Sequence, residues 1–101
     1  MLHIVNKSPF QTRTLDSCLR VAGKSKGAAL LLIEDGVYAA TKGNVIESKV
    51  KEAAANVTIY ALWPDLEARG MQDAVIDGVK LVDYSGFVDL VAEHNSVQSW
   101  L

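Results

Sequence analysis

Apolar and polar positions along this chain change their spacing repeatedly, and each change marks a short element. Leu2 to Asn6 predicts a first strand, stopped by Lys7-Ser8-Pro9. From Thr14 to Gly23 the spacing becomes helical: Leu15, Cys18, Leu19 and Ala22 fall at i, i+3, i+4 and i+7, on one face. Thr12 or Thr14 is placed to cap that helix and Gly23 to end it. Ala28 to Ile33 is an unbroken apolar run, the pattern of a strand covered on both faces as in parallel sheets. Glu34-Asp35-Gly36 predicts a turn and Val37 to Thr41 a short helix. Helical spacing returns at Ile46, Val50, Ala53 and Ala54, followed by a β-branched third strand, Val57 to Leu62. Pro64 starts a short helix, Asp65 to Arg69, that Gly70 closes. Val79 to Val82 predicts a further strand, with a short one before it near Ala74 to Ile76. Tyr84, Phe87, Val88 and Val91 form the last helical face. Asn95 to Leu101 has no period and predicts no element.

Strands alternating with helices predict an α/β fold: a single Rossmann-like or flavodoxin-like domain over residues 1–101. Its sheet is mostly parallel, of four or five strands, with helices on both faces. In such sheets chemistry collects beyond the carboxyl ends of strands. Here those ends are Asn6-Lys7-Ser8, Glu34-Asp35-Gly36 and Trp63-Pro64-Asp65.

With 101 residues there is room for one core. Half the residues are apolar and 22% are charged, the balance of a folded chain. A net charge of −2 argues against a sequence-independent grip on nucleic-acid phosphates. A single cysteine excludes an intrachain disulfide and a cysteine-based zinc knuckle, and suits a reducing cytoplasm. The opening MLHIVNKSPF lacks the pattern of a signal peptide, and Ala28 to Ile33 is too short to cross a bilayer. The expectation is a cytoplasmic domain away from membranes, with neither cofactor nor metal. Gly23-Lys24-Ser25-Lys26-Gly27 resembles the end of a phosphate loop. However, position 18 is Cys where that motif needs Gly, and the stretch runs from helix to strand, the reverse of the required order.

Cys18 is the candidate nucleophile. A partly exposed thiol with nearby Arg13, Arg20 and Lys24 would suit sulfur chemistry, whereas a place beside Leu15, Leu19 and Ala22 makes it a small core residue. Glu34 and Asp35 read as a turn rather than a metal site. His94 suits a helix C-terminus, and His3 reads as a packed or interface residue. Trp63, Trp100 and Leu101 are candidate interface residues. A Trp-Leu tail either folds back on its own domain or docks on a partner.

Six separated pieces, in order, carry a family resemblance. They are Leu2-His3; Ser8-Pro9-Phe10; Glu34 to Ala40; Asp65 to Gly70; Asp83 to Val88; and the terminal Trp100. Together, over the whole length, they resemble the DsrH/TusB family. The resemblance implies the smallest subunit of a cytoplasmic heterohexameric sulfur-relay complex, in which persulfide sulfur passes between cysteines. It implies DsrE/TusD-like and DsrF/TusC-like partner subunits and a small DsrC/TusE-like sulfur carrier protein. The main carrier cysteine is then expected on the DsrE/TusD-like subunit, leaving this chain an accessory subunit. The DsrH branch has a cysteine in its first helix, which Cys18 matches, so dissimilatory sulfur oxidation is the favoured expectation. Synthesis of wobble-base 2-thiouridine in tRNA, the TusB role, is the alternative. An independent thiol enzyme using Cys18 and a stand-alone small-molecule-binding flavodoxin-like module are the competing readings.

Overall fold

Five parallel strands make the sheet of the computed structural model, which describes residues 1–100. In chain order the elements are β1 (Leu2–Val5), α1 (Thr14–Ala22), β2 (Ala29–Leu32), a 3₁₀ helix (Glu34–Ala40), and α2 (Glu47–Ala53). They continue with β3 (Thr58–Leu62), α3 (Trp63–Ala68), β4 (Lys80–Val82), α4 (Tyr84–Glu93) and β5 (Val97–Trp100). The sheet order is β4-β3-β2-β1-β5. The chain steps outward from β1 to β4, then α4 carries it back across to β5. That reversal puts the switch point of the sheet between β1 and β5.

The central strand β2 is buried at every position, as its unbroken apolar run requires. Alternation along the strands divides the core in two. On one side Val5, Leu30, Leu32, Ile59 and Ala61 pack under α1, α2 and the 3₁₀ helix. On the other side Leu2, Ala29 and Leu31 pack under α4 through Leu90 and, at the margin, Phe87. Helices therefore cover both faces, but unequally: a single ten-residue helix serves the second face.

Gly36 locks the 3₁₀ helix against the end of β1. A Cβ there would stand 2.3 Å from the Val5 carbonyl oxygen, so only glycine allows this approach. Pro64 lies in the first turn of α3, where its missing N–H costs nothing, and Gly70 (φ 67°) follows in the left-handed region that ends it.

Several expectations are corrected. The residue preceding α1 is Arg13, with no side-chain cap. Thr12 stands one position too early, and its hydroxyl accepts from the Thr14 N–H instead (3.4 Å). The strand expected near Ala74 to Ile76 is one antiparallel bridge, Thr41 to Val75. The tail, where no element is predicted, supplies β5, which pairs with β1 from Leu2–Val97 to Val5–Trp100. Its four residues alternate Val, Gln, Ser, Trp, which puts one large apolar residue on each face and leaves no periodic signal. Finally, Tyr84, Val88 and Val91 do not face the core; Leu90 does, and the other three stay exposed.

Candidate functional site

Cys18 sits near the middle of α1, on the side that meets the sheet. It has no exposed surface and belongs to the same cluster as Val5, Leu15 and Ala22. Burial pushes its thiol up to about 12. A sulfur nucleophile must be a thiolate and must be reachable, and this thiol is neither. The placement is that of a small core residue, the second of the two readings that its neighbours in the sequence allow. The expected help from Arg13, Arg20 and Lys24 does not arise, because the cysteine points away from the solvent in which those side chains end.

His3 lies on the same side of the sheet, 1% exposed. Its Nδ1 accepts a 3.0 Å hydrogen bond from Trp100 Nε1, joining the first strand to the last. The two rings are tilted by 40° with centroids 6.1 Å apart. Because Nδ1 accepts, the imidazole carries its proton on Nε2. Burial, then the N-terminal ammonium, lowers its pKa below the usual 6.5. Trp100 is thus partly buried against its own domain. Leu101, the third interface candidate, lies outside the described residues. His94 follows α4, its Nδ1 2.8 Å from the Leu90 carbonyl.

Beyond the strand ends the acidic residues close on themselves. Glu34 is in the left-handed region (φ 49°), and its N–H donates to Asp65 Oδ2 at 2.6 Å. Arg69 donates through both Nε and Nη2 to Asp35 Oδ1, each at 3.0 Å, and through Nη1 to the Asp65 carbonyl. The turn is therefore a cross-brace between β2 and α3. Among the described residues no cluster of three His, Cys, Asp or Glu is arranged to hold a metal. The Asp35–Arg69 pairing spans 34 residues, and nothing local in the sequence announces it.

Two surface grooves stand out among the described residues. One, of about 430 Å³, runs between α1 and α2 over Leu19, Ala53 and Val57. Its charged rim is partly self-paired, with Lys49 bound to Asp16. The other, of about 590 Å³, is shallow and lies beside Trp63, Leu81, Val82, Asp83 and Gly86. Trp63 lines it, half-buried at the head of α3. Neither groove contains Cys18. No described helix is long and apolar enough to cross a membrane.

Comparison with known proteins gives the family and the fold. The model of the family "DsrH like protein" matches residues 7–97. The chain is 41% identical over 100 residues to Protein TusB of Pectobacterium parmentieri, covering 99% of this chain and 100% of that protein. It is 38% identical over 100 residues to Protein TusB of Escherichia coli K12, with the same coverage. Among solved structures, the ychN protein from E. coli superposes with a TM-score of 0.79, covering 97% of both chains at 21% identity. A protein of unknown function from Methanobacterium thermoautotrophicum superposes with a TM-score of 0.72 at 20% identity, over 97% of this chain and 95% of that one. These two similarities show a shared fold.

Proposed function

Since the chain belongs to the DsrH/TusB family, we propose that it is a TusB-type accessory subunit of a sulfur-relay complex serving 2-thiouridine synthesis at the tRNA wobble base. The observation that carries this reading is the end-to-end match to proteins named TusB. It supports the tRNA branch over the sulfur-oxidation branch that Cys18 favours in the sequence. Cys18 also weakens its own case, being wholly covered with its thiol held neutral.

The same geometry supports the accessory role. Persulfide transfer needs a thiolate that attacks a sulfur and a second thiol to accept it onward. This chain's one cysteine is buried in the core. The reacting cysteines then belong to other chains, and this subunit contributes surface rather than chemistry. Its partners in this reading are TusC-like and TusD-like α/β subunits, two copies of each chain making a hexamer, with a TusE-like carrier protein docking on the assembly in the cytoplasm. The net charge of −2 supports partnership with protein rather than direct contact with tRNA.

The test is genetic and chemical. A bacterium lacking its own TusB is supplied with this chain, and its tRNA nucleosides are analysed by mass spectrometry. Recovery of wobble 2-thiouridine is expected, and the Cys18→Ala chain is expected to restore it equally. Failure of the intact chain to restore the nucleoside, while it supports dissimilatory sulfur oxidation in a host lacking DsrH, overturns the reading.

A further inference from the structure

Asp-Gly occurs twice in this chain, at Asp35-Gly36 and at Asp77-Gly78. An aspartyl carboxyl can be attacked by the main-chain nitrogen of the next residue, and most readily before glycine, which has no side chain to screen its N–H. The attack needs a nitrogen free of hydrogen bonding, a carboxyl free to become protonated, and a backbone loose enough to bring them together. The local sequence is the same at both sites, and the fold separates them on each requirement. The Gly36 N–H donates to the Ile33 carbonyl at 2.8 Å, and Gly36 is buried against Val5 in the 3₁₀ helix. The Asp35 carboxylate accepts from Arg69 Nε and Nη2, each at 3.0 Å. Asp77 and Gly78 are both exposed, in a turn that the Val79 N–H closes on the Ile76 carbonyl at 3.3 Å. Gly78 is left-handed (φ 98°) and Asp77 is not, the pattern of a type II turn, whose central N–H takes no part in the closing bond. Among the described residues that N–H donates to no backbone carbonyl, and the Asp77 carboxylate takes part in no ion pair. Lys51 senses the Asp77 charge, but its ammonium is bound to Glu47 at 2.9 Å.

We infer that Asp77-Gly78 is a spontaneous modification site, at which the aspartyl link passes through a succinimide to isoaspartate and loosens the attachment of β4. The Gly78 nitrogen attacks Asp77 Cγ. The N–Cγ bond forms, the N–H proton is lost, and the carboxyl hydroxyl leaves with a proton as water. Water then adds to the Asp77 main-chain carbonyl carbon and breaks its bond to the Gly78 nitrogen. The main chain now runs through Cβ and Cγ, and the former main-chain carbonyl becomes a free carboxylate. One water leaves and one returns, so neither mass nor oxidation state changes. Hydrolysis at Cγ instead restores aspartate. The added main-chain carbon falls between two fixed points. Ile76 is buried, and its N–H donates to the Ala40 carbonyl at 2.8 Å. Lys80 pairs with Tyr60 in the sheet, and its ammonium stands 5.9 Å from the centre of the Tyr60 ring. A longer link breaks the closing geometry of the turn. The strain then falls on β4, an edge strand of three residues held on one side only.

The experiment ages the full native chain at neutral and mildly acidic pH and digests it. The peptides are offered to an isoaspartate-specific carboxyl methyltransferase with labelled S-adenosylmethionine. Label is expected on the Asp77 peptide at unchanged mass, ~10-fold or more above the Asp35 peptide, because attack at Asp35 first requires the loss of its hydrogen bonds. In urea the two peptides are expected to label alike, since each is then a bare Asp-Gly. Asp77→Glu, which would have to close a larger ring, is expected to remove the label at that site. Hydrogen exchange in the aged native chain is expected to quicken at residues 80–82 and to stay unchanged at residues 29–32. Equal labelling of the two sites in the native chain, or no label at Asp77 when the urea-treated chain acquires it, overturns the modification site. A labelled chain whose amides at residues 80–82 stay fully protected overturns the loosening of β4.

Discussion

Cys18 and His3 come from different elements and meet the same fate: each is a potentially reactive side chain made inert by burial. For Cys18 the consequence is structural. Cys18→Ser is expected to lower stability by ~1–3 kcal/mol, because the new hydroxyl is enclosed among apolar side chains. Urea unfolding measures the loss. Thiol reagents should modify the native protein only as fast as it opens, and rapid labelling would contradict the burial. For His3 the consequence depends on pH. Burial lowers its pKa, so the unfolded chain takes up the proton more readily than the folded one. The stability held in neutral His3 is complete above about pH 6.5, the ordinary value, and is lost as pH falls below it towards the folded-state pKa. Protonation also removes the acceptor used by Trp100. Denaturant midpoints measured across pH 5 to 7 should therefore decline on acidification, and His3→Gln should flatten that decline. Glu47, whose carboxyl is held low by the Gly43 N–H and Lys51, loses its contribution only below about pH 4.5, in a separate window.

Among the elements, β5 and α4 carry most of what is new. β5 is an edge strand of four residues, yet it supplies one of the two neighbours of β1 and brings Trp100 onto the core. Removing residues 97–101 should therefore harm folding as well as assembly. Loss of the Trp100 packing alone is worth ~2 kcal/mol, and β1 becomes an open edge with unpaired backbone groups. A truncated chain whose urea midpoint matches the full chain would contradict this. α1 shows how far periodicity can be trusted: Leu15, Cys18 and Ala22 are buried as spaced. α4 shows where it misleads. Tyr84, Phe87, Val88, Leu90 and Val91 spread apolar side chains over an arc of about 160°. Spacing alone does not say which part of that arc meets the sheet.

The molecule is built asymmetrically. One face of the sheet carries four helical elements, and the other carries α4 alone. The Lys and Arg residues all lie at or before position 80, and the last of them, Lys80, stands over the Tyr60 ring on the face that α4 covers. Where α/β enzymes gather their reacting groups, this chain joins Asp35 to Arg69 and the Glu34 N–H to Asp65.

Much of this was open to reading in the residues alone. The unbroken run Ala28 to Ile33 required a strand covered on both faces, the alternation of strands and helices required a parallel sheet, and one cysteine ruled out an intrachain disulfide. These properties are local or compositional, so periodicity and counting reach them. Other properties were settled by packing between residues far apart in the chain. Position 100 lies against position 3, and Arg69 reaches Asp35 across 34 residues. Cys18 loses its solvent to the sheet beneath it. Hydrophobicity marks which side chains favour burial, but the available partners decide which of them are buried. α4 has more apolar surface than this one domain can cover.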